Sequence, residues 1–159
     1  MKVIFLFGMI AFHKNAMGLQ MKAIFFLLLT AGLTACATTP VATGRAKEVP
    51  TERVLAYTEQ RENYARVEIT RDSGALGSAC YLGVMYRQTL LARFDVGEHA
   101  VFYLPEGNWN FAVVPDPDGR GLCALSGNPV VETQNISKNR ENLFRISSGY
   151  YRRPRLLPF

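Results

Sequence analysis

The chain of 159 residues is short of the side chains that do chemistry: it holds two histidines, three cysteines and one tryptophan. No GxSxG elbow, HExxH pair, phosphate-binding P-loop or GxGxxG turn occurs in it, so the usual signatures of serine hydrolases, zinc proteases and nucleotide enzymes are missing. With so few soft or imidazole ligands, neither a metal nor an electron-transfer cofactor is expected. Long apolar runs are also absent. The two longest, residues 3–12 and 23–33, are about half of the roughly 20 residues that span a bilayer as a helix. Acidic residues are missing from residues 1–35, which carry Lys2, Lys14 and Lys22. The remaining 15 basic and 13 acidic side chains leave a net +2 where the whole chain has +5. That near balance excludes a nucleic-acid binder built on bulk positive charge.

What is present begins at Met21. Lys22 supplies a basic n-region, residues 23–33 an apolar h-region, and Thr34-Ala35 the small residues that precede a cleavage site. Residues 1–20 contain a second apolar run followed by His13-Lys14-Asn15. A complete leader starting at Met21 suggests that translation begins there and that residues 1–20 are an over-extended reading frame; a long leader is the alternative. The sequence Leu33-Thr34-Ala35-Cys36 resembles the lipobox of bacterial lipoproteins. That resemblance implies cleavage before Cys36 and a diacylglycerol on its sulfur, with two or three acyl chains giving stable anchorage where one would not. It further implies a cell-envelope location. Ala37 in place of Asp after the cysteine implies the outer membrane, with the domain facing the periplasm.

Residues 36–49 are small and polar, with Pro40 and Gly44 and no apolar periodicity, and are expected to form a flexible tether. Residues 50–63 suggest a short helix or turn, with Thr51 as its cap and Val54, Leu55 and Thr58 on one face. From Tyr64 the period becomes two. Ala65, Val67 and Ile69 alternate with Arg66, Glu68 and Thr70, the pattern of a half-buried strand. Further strands are expected at 80–87, 89–94, 99–104, 109–114, 129–134 and 142–148, separated by Gly, Pro and Asp turns. The expectation is an all-β fold, a small antiparallel sandwich of about six to eight strands over residues 64–149. Residues 150–159 read as a basic, aromatic tail.

Within that region, residues 81–114 run strand, turn, strand, glycine turn and apolar strand, and then Leu104-Pro105-Glu106-Gly107. The order is similar to the small β-sandwich modules of periplasmic lipoproteins called PEGA-type domains, with Asn108 where that motif has alanine. The resemblance implies a surface or interaction domain and no particular activity.

If Cys36 carries lipid, Cys80 and Cys123 remain, and two cysteines in an oxidising compartment favour a disulfide. Such a bridge would constrain the unfolded chain by about 4 kcal/mol on the entropy model. Separate thiols are the alternative; no CxxC spacing supports redox chemistry. His99 is adjacent to Glu98, so the two fall on opposite faces of a strand; a small hydrolase using His99 is the alternative to a non-enzymatic interaction role. Asp116-Pro117-Asp118-Gly119 reads as a turn, lacking the later ligands of a calcium loop, and Asn135-Ile136-Ser137 as a chance sequon. Trp109, Phe111, Phe102, Tyr103 and Tyr81 read as core first and as a ligand face second. In the tail, Arg152, Arg153 and Arg155 are candidates for contact with lipid phosphate or another envelope protein.

Overall fold

In chain order the strands are β1 (Lys47–Glu48), β2 (Tyr64–Arg71), β3 (Leu82–Tyr86), β4 (Thr89–Phe94), β5 (Glu98–Pro105), β6 (Gly107–Pro115), β7 (Val131–Ile136), β8 (Asn142–Gly149) and β9 (Arg152–Pro158). They come from a computed structural model that describes residues 38–74, 78–116, 118, 128–149 and 152–159. The leader, Cys36 and Cys123 lie outside the described residues. The chain divides into two compact units, 1–35 and 36–159, and every strand belongs to the second.

Alternation produces the layers. Along β5 burial alternates at every residue, with Glu98, Ala100, Phe102 and Leu104 inward. A five-stranded sheet in the order β1-β5-β2-β8-β9 packs on a four-stranded sheet in the order β4-β3-β6-β7. The expected all-β sandwich is therefore what forms. Val67, Ile69, Val84, Leu91, Phe102 and Leu156 are fully buried between the sheets. Aromatic pairs cross the gap: Phe94 meets Phe102 at 6.4 Å and Phe111 meets Phe144 at 6.2 Å between ring centroids, within the range of favourable tilted packing.

Four details differ from the sequence reading. The larger sheet is mixed, because β1 pairs with β5 and β2 with β8 in parallel. The chain passes through the other sheet between β2 and β8, and a parallel neighbour requires such a long crossover. No N-terminal helix forms. Residues 50–63 contain one 3₁₀ turn, Thr51–Arg53, with Pro50 and not Thr51 at its cap and no side-chain capping bond. The backbone beyond it is claimed by strands: Leu55 N and Ala56 N donate to Leu91 O of β4, and Tyr57 O accepts from Tyr103 N of β5. Residues 152–158 are β9 and not a tail, since Leu156 is wholly buried opposite Ile146. The expected tether is also part of the domain: it contains β1, and Val49 is core.

The chain changes sheets at Glu106, the single residue between β5 and β6. Gly107 sits there at φ +133°, and a Cβ on it would lie 3.4 Å from Trp109 Nε1. That indole N–H donates to Pro105 O at 2.8 Å, so the tryptophan braces the corner from inside. Gly107→Ala is expected to destabilise the domain by about 1–3 kcal/mol through backbone strain, read as a lower urea midpoint. Gln88→Ala, at an exposed turn, is expected to shift it by less than about 0.5 kcal/mol. Equal midpoints for the two variants would contradict this role of the corner.

Candidate functional site

The first described residue is already fixed. The Thr38 hydroxyl lies 3.0 Å from Asp72 Oδ2 and 2.9 Å from Ser148 O, one of which receives its single proton, and it accepts from Ser148 N at 3.1 Å. Next to it, Thr39 and Ser73 exchange backbone hydrogen bonds of 2.7 and 2.9 Å. Asp72 is 2% exposed. Its Oδ2 also accepts from Arg145 Nη2 at 2.6 Å, and its N–H donates to Ile146 O at 3.0 Å. One buried carboxylate thus ties the ends of β2 and β8 to the segment that follows Cys36.

The same end of the sandwich is held by arginines. Arg71, buried between the sheets, donates from Nη1 to Cys80 O and Phe94 O, each at 2.7 Å; burial pushes its guanidinium below the ordinary arginine range. Arg53 grips Glu98 with two bonds of 2.7 and 2.6 Å, and that hydrogen bonding raises its pKa. Arg93 grips Asp116 at 2.7 and 2.8 Å and reaches Asp118 at 2.8 Å. The Tyr81 ring has both guanidiniums on it, at 4.5 and 5.4 Å from its centroid, a cation–π geometry. These pairs join residues 53, 93, 98 and 116, which no local pattern links. Their only trace in the sequence is Glu98, an acid at an inward strand position.

His99 stands on the outer face of the larger sheet, with Nδ1 3.2 Å from Glu68 Oε1; Glu68 Oε2 is 2.8 Å from Arg66 Nη2. Glu98 does point the other way, as strand alternation requires. Among the described residues no hydroxyl or thiol is hydrogen-bonded to His99. A groove of about 650 Å³ beside Glu68 runs between Arg66 and residues 137–143 and does not include His99.

The tail arginines separate. Arg155 is committed to Glu132, at 2.9 and 2.6 Å, so it closes the sandwich internally. Glu132 Oε2 also accepts from Leu156 N at 2.7 Å, and Gln134 Nε2 donates to Leu156 O at 2.9 Å. Arg153 donates to Asn128 O. The aromatic set separates as well. Phe102 and Phe111 are core, Tyr81 lies under the arginines, and Tyr103 is half-buried on the outer face. Trp109 borders a groove of about 780 Å³ at the far end, shared with Tyr57, Arg87, Asn108 and Asn110. Sequence reading missed Tyr57 and Arg87, which among the described residues are the two non-glycine residues with positive φ, +61° and +55°. Cys80 is not a free thiol. Among the described residues no group of three His, Cys, Asp or Glu side chains is placed to hold a metal, and no helix is long and apolar enough to cross a membrane. No family model, no curated protein and no solved structure matches the chain.

The Asp116 carboxyl is held below the ordinary carboxylate range, first by its hydrogen bonds from Arg93 and also by the Asp118 N–H. A carboxyl whose folded pKa is depressed stabilises the fold above its unfolded value, near 4, and loses that contribution as pH falls through the folded value. Asp116→Asn is therefore expected to cost about 1–3 kcal/mol at neutral pH. In urea titrations the gap to wild type should narrow progressively below about pH 4. A gap that is the same in acid and at neutrality would contradict the assignment.

Proposed function

We propose that the protein is a lipid-anchored lipoprotein of the bacterial cell envelope with a non-enzymatic, interaction or structural role. The observation that carries this reading is Leu33-Thr34-Ala35-Cys36 at the end of a short apolar run. The described fold supports it, because Thr38, two positions after the cysteine to be lipidated, is already bonded into the sandwich. Ala37 favours the outer membrane and a domain facing the periplasm. The PEGA-like turn at Leu104-Pro105-Glu106-Gly107 supports an interaction role in which another envelope component is the partner. Cys80 and Cys123 form a disulfide in this reading, pinning the long loop between β6 and β7 to the start of β3. The hydrolase alternative would need a nucleophile beside His99 and Glu68.

Cys36→Ser is expected to move the protein from the membrane to the soluble fraction of lysed cells. Unchanged fractionation would rule out lipid anchorage. Alkylation of the denatured, unreduced protein is expected to leave Cys80 and Cys123 unmodified, and mass shifts on both would rule out the bridge.

A further inference from the structure

We infer that the sandwich stands end-on upon the phospholipid surface, with the Thr38 end seated at the headgroups and the Trp109 end turned away from them. The inference rests on lipidation of Cys36 and adds an orientation to it. One residue, Ala37, separates Cys36 from Thr38, so their Cα atoms are at most about 7 Å apart. A flexible tether over residues 36–49 would instead let the domain wander by about 20 Å.

That longer reach is not accessible to the folded chain. Releasing Thr38 breaks its bonds to Asp72 and Ser148 and the two-way backbone bridge between Thr39 and Ser73. Several hydrogen bonds would be lost, one of them to a buried carboxylate, where removing a partner is costly. The leash is therefore short because the fold has already consumed it.

Strand order says what lies at this end. β2 finishes there at Arg71 and β8 at Gly149, and the turn at residues 95–97 joins it through Gly97 N to Arg71 O and Lys47 N to Gly97 O. The exposed cations Arg45 and Lys47 flank it, with Glu48 as a neighbouring exposed acid; a cation near an anionic surface is attracted to it. From that end β2 reaches back over its eight residues to Tyr64, about 25 Å at strand rise. At that height sit Trp109, Tyr57 and Arg87 with their groove. The surface offered to a partner is the end farthest from the lipid.

Trp109 is the only tryptophan, and it reports the far end directly. The lipidated protein, extracted from membranes and reconstituted in phosphatidylcholine vesicles, would be examined with a nitroxide on the lipid headgroup as a short-range quencher. Wild-type emission is expected to be unquenched, while Val96→Trp and, separately, Ser73→Trp each add emission that the nitroxide quenches. A Gly/Ser spacer inserted after Ala37 should abolish that quenching without releasing the protein from the vesicles. Vesicle-bound protein in which both added tryptophans stay unquenched, or in which Trp109 is quenched, overturns the orientation and leaves the anchor standing. Vesicle binding that does not depend on Cys36 overturns the anchor and the orientation together.

Discussion

Everything at the N-terminal end of this domain depends on the carboxylate of Asp72. It is buried, so its charge must be met locally; Arg145 of β8 donates to it, and the Thr38 hydroxyl lies 3.0 Å away. Removing a partner from a buried charge of this kind costs on the order of 3–5 kcal/mol, which makes the three-way junction self-enforcing. β2 and β8 are held in parallel register up to Arg71 and Ile146, and the Asp72 N–H extends that register by one bond to Ile146 O. Because Thr38 is bound into the same junction, the point at which the chain enters the domain is fixed by it.

A two-sheet sandwich has open edges, and unpaired strand edges invite association with other chains. Here both gaps between the sheets are bridged by side chains or irregular backbone. On one side residues 53–57 run between β4 and β5, bonded to Leu91 and Tyr103. On the other, Glu132 and Gln134 of β7 supply the acceptor and donor that Leu156 of β9 would otherwise find in a neighbouring strand. The sheets themselves stay separate, yet neither edge is left bare for its full length. What remains for recognition lies at the ends, where the loops gather.

The division between what could and could not be read from sequence follows from this. Period-two alternation is local, so Val67-Glu68-Ile69 or Ala100-Val101-Phe102 declares a strand without further information, and β2 to β8 were legible in outline. β9 was not: Arg152, Arg153, Pro154 and Arg155 look like a solvated tail until Glu132 and Ile146 are placed beside them. The tether failed for the same reason. Thr38 and Thr39 are small polar residues with no propensity worth naming, and only Asp72, Ser73 and Ser148, distant in the chain, make them structural. Residues 50–63 suggested helix by composition but were taken by the sheet edges, a tertiary override of local preference. The corner at Pro105-Glu106-Gly107 was legible, because a short turn motif carries its own geometry. The site was illegible at Tyr57 and Arg87, whose positive φ values no residue type announces.

If Cys36 is lipidated as we propose, the short leash and fixed exit point hold the domain at a surface in one attitude, with its groove at the far end. All of this turns on the chemistry of one sulfur. The most direct measurement is the mass of the N-terminal peptide of protein extracted from membranes. The expected peptide begins at Cys36 and carries the added mass of a diacylglycerol, with or without an N-acyl chain. A peptide in which the Ala35–Cys36 bond is intact, or in which Cys36 is an unmodified thiol, would contradict the anchor and with it the central claim.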